Sequence, residues 1–195
     1  MNRSILSPRI KILTTALSII LGTSLSYFVL RPHESMVDFD VNRDRQFITE
    51  AFDNDWYWLT EYARGATDPI KQLELKAVSL NYPMTFGKLT TKVMYVKESF
   101  FGVNAYKPVG FVAYYMKSFY EGMILFLDVA HPYRRKGYAE KLMNYACNDL
   151  FNRGAQVIRL LTRPNNTGAR ALYNRLGFKE YKHDEKFVYF EKFTR

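Results

Sequence analysis

Residues 123–139 read MILFLDVAHPYRRKGYA, and the fold turns on how this stretch divides. Residues 123–129 are apolar except for Asp128, the pattern of a strand covered on both faces. Pro132 and Gly137 then break the run. Beyond Gly137, Tyr138, Leu142, Met143, Ala146, Leu150 and Phe151 recur at three-to-four spacing, which predicts a helix that Gly154 ends. The stretch is therefore strand, turn and helix start, with Arg134, Arg135 and Lys136 at the turn. Such a run of cations is either a basic surface turn or a seat for a phosphorylated ligand.

Working outward, residues 156–162 (QVIRLLT) form the next strand, so strand, helix and strand make a parallel crossover unit. Upstream, residues 88–98 and 108–118 are β-rich and joined by short links, which predicts an antiparallel meander ending at 123–129. Downstream, a second helix is predicted over 167–176 with Gly177 past its end, and a last strand over 187–193. Toward the N-terminus, 36–41 is a candidate strand. Phe47, Ile48, Phe52, Trp56, Leu59 and Tyr62 give 42–64 a helical spacing. Residues 71–80 form a short helix or a loop. The expected class is α+β or α/β, a mixed central sheet of about six to seven strands with flanking helices.

The chain has 195 residues, 48% of them hydrophobic and 16% aromatic, enough for one ordinary domain with an appendage. Lys and Arg number 28 against 19 Asp and Glu, a net charge of +9 that favours anionic partners without choosing among them. Cys147 stands alone, so an intrachain disulfide is excluded. His33, His131 and His183 are scattered, and no Cys/His spacing suggests a metal.

Residues 12–30 (ILTTALSIILGTSLSYFVL) carry no charge. As a helix they would span about 28 Å, close to the hydrocarbon thickness of a bilayer. Arg3, Arg9 and Lys11 precede the run and Glu34, Asp38 and Asp40 follow it, a bias that puts the N-terminus in the cytoplasm. The expected organisation is an N-terminal hydrophobic helix in residues 1–35, a single-pass anchor or a signal segment cut near Ser24–Ser26, followed by a domain over 36–195. The protein is expected at a membrane, with the side of the domain open.

At the glycine turn, a helix start leaves backbone N–H groups unpaired and adds a favourable dipole for an anion. Gly137 lets a ligand approach the backbone, and Ala139 intrudes little more. No phosphate-loop or dinucleotide glycine pattern is present. The spacing Arg134-x-x-Gly137-x-Ala139 resembles the Q/R-x-x-G-x-G/A signature of the GNAT superfamily of N-acetyltransferases. Residues 166–178 (NTGARALYNRLGF) resemble that family's second motif, with Asn166, Ala169, Leu172, Tyr173, Gly177 and Phe178 in register.

The resemblance implies acetyl-CoA held where two parallel strands, here 123–129 and 156–162, splay apart. The backbones of Leu127 and Val129 would contact the pantetheine arm, as would Asn166. The backbone N–H groups of Arg134, Arg135, Lys136, Gly137, Tyr138 and Ala139 would hold the pyrophosphate. The reaction implied is direct attack of a primary amine, on a small molecule, peptide or protein, on the thioester in a ternary complex. Tyr173 stands at the family's general-acid position. The family's strand-four glutamate falls here on Met123, so Glu121 is the substitute base; Asp128 reads as facing the other way. Two alternatives stand beside this reading: a catalytically degenerate acyl-CoA-binding module of the same fold, and a basic protein binding nucleic acid or a membrane surface. The second has no nucleic-acid motif behind it.

Overall fold

The computed structural model describes residues 34–59, 70, 89–100 and 103–194. The first strand, β1 (Glu34–Asp38), leads at once into α1 (Val41–Leu59). The helix starts there because Asp40 caps it: one carboxylate oxygen accepts from the N–H groups of Asn42 and Arg43, each at 3.0 Å. Asp44 answers from the first turn, accepting the Asp40 N–H at 2.9 Å. Asp44 is fully buried yet satisfied, since Arg43 and the Tyr95 hydroxyl also donate to it. The helix kinks at Asp55, where φ is −119° and ψ 21°.

Three strands follow as the expected meander: β2 (Thr90–Phe100), β3 (Val103–Met116) and β4 (Glu121–Val129). Helix α2 (Tyr138–Asn152) then crosses over to β5 (Val157–Thr162), and α3 (Thr167–Arg175) leads to the hairpin of β6 (Lys179–His183) and β7 (Val188–Phe193). One mixed sheet of seven strands results, in the order β1-β2-β3-β4-β5-β7-β6. Strand β6 escapes sequence reading because all its residues are exposed and KEYKH has no apolar alternation to detect.

Each face of the sheet has its own core. On one, Ile48, Ala51, Phe52 and Leu59 of α1 pack on Val93, Phe111, Ala113, Tyr115 and Phe126. Phe52 stacks on Phe111 at 6.0 Å and meets Phe126 edge-on at 5.2 Å. On the other, Leu142, Met143, Ala146 and Leu150 of α2 pack with Val112, Tyr114, Ile124 and Ile158, joined by Leu172 and Tyr173 of α3. Full burial of each large side chain stabilises by about 1.5–3 kcal/mol. Strand β3 serves both cores because its side chains alternate: 111, 113 and 115 face α1, and 112, 114 and 116 face α2.

Strand β4 breaks that alternation. Ala113 pairs with Phe126 but Tyr114 pairs with Ile124, so Leu125 is the extra residue of a bulge. Gly122 and Ile124 face α2; past the bulge Leu127 and Val129 do, while Phe126 faces α1. Asp128, which the uninterrupted count would turn toward α2, therefore faces α1.

No helix among the described residues is long and apolar enough to cross a membrane. The uncharged run 12–30 and the segment 71–80 both lie outside the described residues.

Candidate active site

Strands β4 and β5 pair in parallel through Glu121, Gly122 and Met123 against Val157, Ile158 and Arg159, and no further. Residues 124–129 continue along β3, and 160–162 continue along β7. A gap therefore opens between two strands that start side by side. The Ala130 N–H bonds to the Val109 carbonyl in β3 at 2.9 Å. Backbone polar groups alternate sides along a strand, so Val129 and Leu127 turn theirs toward the gap. Both residues singled out from the sequence thus border it.

At the far end of β4 a short 3-10 turn (His131–Tyr133) delivers the chain to the basic loop. Arg135 is left-handed at φ 65°, and Gly137, the N-cap of α2, at φ 86°. For Arg135 that conformation costs about 1–2 kcal/mol. Such turns make successive N–H groups converge into an anion-binding concavity. Among the described residues nothing lies within 4 Å of where a Gly137 side chain would begin. The first backbone bond of α2 runs from Lys141 to Gly137, and the N–H groups of 135–139 have no acceptor among the described residues. Arg135 and Lys136 are exposed, with the Lys136 ammonium 5.2 Å from the Tyr133 ring. Donors without an acceptor among the described residues, the helix dipole and the exposed Arg135 and Lys136 fit a diphosphate.

Arg134 departs from that expectation. Its N–H bonds to the His131 carbonyl at 3.3 Å, and its Nε donates to the Val129 carbonyl at 2.7 Å. Its Nη2 reaches Asp55 at 2.5 Å and Asp128 at 3.2 Å. The side chain is thus directed into the α1 side of the sheet.

Asn166 caps α3, its side-chain oxygen accepting the Ala169 N–H at 3.1 Å. Its amide nitrogen, on a half-buried residue, has no acceptor among the described residues. Tyr173 is buried in α3, its ring 6.1 Å from Phe178 and 5.6 Å from Phe190. No described residue hydrogen-bonds its hydroxyl, and burial pushes its pKa up to about 12, so it holds its proton.

Glu121 is set apart. It opens β4, and nine strand residues put it about 26 Å from the strand's other end. Its carboxylate is buried and held by Lys117 at 2.9 Å and Arg159 at 3.4 Å. The two cations hold the group in a structural ion pair. Glu121 thus sits where β4 and β5 are still paired, before the gap opens.

A cavity of about 1030 Å³ lies instead between α1 and the end of β4. Glu50, Asn54 and Asp55 line it from α1, with Lys107 from β3, Asp128 from β4, and His131 and Arg134 from the turn. Among the described residues no three His, Cys, Asp or Glu side chains gather as for a metal ion.

Comparison with known proteins places this geometry. A model described as the acetyltransferase (GNAT) family matches residues 55–178. N-alpha-acetyltransferase 30 of Schizosaccharomyces pombe is 43% identical over 61 residues, 31% of this chain and 41% of that protein. N-alpha-acetyltransferase MAK3 of Arabidopsis thaliana is 39% identical over 59 residues, 30% of this chain and 31% of that protein. The chain thus spans well under half the length of these curated relatives. A PaiA N-acetyltransferase from Thermoplasma acidophilum, solved in complex with coenzyme A, shares the fold at a TM-score of 0.56 and 15% identity, over 83% of this chain and 99% of that one. The matched stretch runs from the kink of α1 to just past α3 and contains both the gap and the glycine loop, so the chain belongs to the acetyltransferase (GNAT) family.

Proposed function

We propose that this protein transfers an acetyl group from acetyl-CoA to a primary amine, on a peptide or protein N-terminus as the names of its relatives suggest. One observation carries the reading: β4 and β5 part after Met123 and Arg159, and β4 then leads to a loop whose backbone donors at 135–139 have no acceptor among the described residues. A gap bordered by backbone groups that β5 does not pair suits an amide-rich arm, and the loop suits its diphosphate.

The chain's own residues divide the work. Leu127 binds the arm through its backbone, assisted by the Asn166 amide, while the Val129 carbonyl at the edge of the gap is held by Arg134. The N–H groups of 135–139 hold the diphosphate, with the Arg135 and Lys136 side chains adding charge. When bound, acetyl-CoA supplies the activated acyl carbon. Tyr173, protonated at neutral pH, gives its hydroxyl proton to the leaving thiolate in this reading.

Calorimetric titration of acetyl-CoA into the full-length chain and a Gly137→Glu variant tests this. Saturable binding is expected, weakened at least tenfold in the variant, whose carboxylate opposes the diphosphate. Absence of binding by folded wild-type protein would refute it. Mass spectrometry of free-N-terminus peptides and simple amines incubated with acetyl-CoA then identifies the acceptor class.

We also propose that residues 12–30 attach the enzyme to a membrane, which their length, lack of charge and flanking cations support. Extraction of the expressed protein from membranes by alkaline carbonate, with none left in the pellet, would contradict it.

A further inference from the structure

Asp128 is the group in the α1-side cavity that the cofactor-binding parts leave unexplained. It is 8% exposed, and its Oδ2 is shut from solvent with no hydrogen-bond partner among the described residues. A buried carboxylate oxygen without a donor is costly and rare. The bulge at Leu125 turns this side chain to the cavity, while Leu127 and Val129 on either side keep their backbones toward the gap. A proton acceptor and the cofactor's place are thus on adjoining residues of one strand. We propose that the cavity admits the acceptor amine and that Asp128 takes its proton, a role that rests on the acetyl-transfer reading above.

The charges around Asp128 suit the task. Asp55 stands on α1, with Glu50 and Arg43 further along the same cavity wall; Lys107 comes from β3, and His131 and Arg134 come from the turn. Burial raises the Asp128 pKa most and the Asp55 charge raises it further; Arg134 and the Val129 N–H restrain the rise, and the group lies at about 6. At neutral pH it is ionised, yet more basic than an ordinary carboxylate. A cavity of about 1030 Å³ also exceeds what a small amine fills and suits the first residues of a peptide.

The protons balance. The ammonium of the acceptor gives one proton to Asp128, directly or through a water, and Asp128 passes it to solvent. The freed amine nitrogen attacks the thioester carbonyl, so the C–N bond forms and the C–S bond breaks. The nitrogen loses its second proton to solvent. The thiolate takes the Tyr173 proton, and solvent restores the phenol. The sum is an amide, a free thiol and one proton released.

Two measurements on the full-length protein decide the matter. Isotope-labelled aspartate carboxyls are followed by NMR, with Asp128 assigned by its absence in Asp128→Asn. A midpoint above about 5 is expected, and one at or below that value overturns the proposal. Transfer from acetyl-CoA to an equimolar set of short peptides with free N-termini is followed by thiol release. Asp128→Asn is expected to lower kcat/KM at least 100-fold and to abolish the acid limb, with Asp128→Glu partly restoring both and acetyl-CoA affinity unchanged within about twofold. Variant kcat/KM within threefold of wild type, beside active wild-type enzyme, overturns the role of Asp128 alone. Wild-type protein that binds acetyl-CoA but acetylates neither peptides nor simple amines overturns the transfer reading and this role with it.

Discussion

The guanidinium of Arg134 lies 2.5 Å from the Asp55 carboxylate, tying the glycine loop to the kink of α1 across 79 positions of sequence. The same nitrogen stands 3.2 Å from Asp128, so one cation serves two carboxylates. Replacing either partner must move Asp128 in opposite directions. Asp55→Asn removes a repelling charge and frees Arg134, so Asp128 should titrate at lower pH. Arg134→Gln removes the stabilising cation, so it should titrate at higher pH. Arg134 is 36% exposed, and solvent will moderate the second shift. Carboxyl titration by NMR reads both; shifts of the same sign would contradict the shared-cation arrangement.

Asp128 should also cost stability. Its native pKa of about 6 lies above its ordinary 3.8. Between those values the native state holds a proton that the unfolded chain has lost, so stability falls as pH rises through this window. The difference is worth up to about 3 kcal/mol once the group is ionised in both states. Asp128→Asn is therefore expected to unfold at a higher temperature than wild type at pH 7.5, with the gain shrinking toward pH 4. Equal gains at both pH values would place its cause elsewhere.

Tyr173 offers a cleaner separation of packing from chemistry. Its ring is set among Phe178 and Phe190, while its hydroxyl has no partner among the described residues. Tyr173→Phe should keep the fold, leaving the unfolding midpoint within about 1 kcal/mol of wild type. It should lower kcat by about 100-fold with acetyl-CoA binding intact. An unaltered kcat would reduce Tyr173 to a core residue.

Gly110 lies opposite Val129 and makes room for the end of β4. A Cβ there would stand 2.7 Å from the Asp128 carbonyl and 3.1 Å from a Val129 methyl. Gly110→Ala must therefore push the end of β4 away from β3. A loss of about 1–3 kcal/mol in chemical denaturation is expected, with weaker acetyl-CoA binding because Val129 borders the gap. Full stability in this variant would show that β4 yields easily.

Much of the molecule was legible in the chain. The apolar run before Pro132, the three-to-four spacing beyond Gly137 and the register of Asn166 to Phe178 located β4, α2 and α3 within a few residues. Those signals are local: burial on both faces, one apolar helix stripe, and glycines at element ends. Strand β6 was missed because an exposed edge strand has no such stripe.

The sequence by itself determined the glycine loop, the crossover unit and the position of Tyr173, because each depends on residues near one another in the chain. Tertiary structure alone decided which acid of β4 faces the cavity. The extra residue at Leu125 exists only in the pairing of β4 with β3, and it reverses the facing of everything after it. Counting along the strand turned Asp128 away and favoured Glu121. Pairing turned Asp128 to the cavity, left Glu121 between Lys117 and Arg159, and gave Arg134 to a carboxylate that no local pattern could have named.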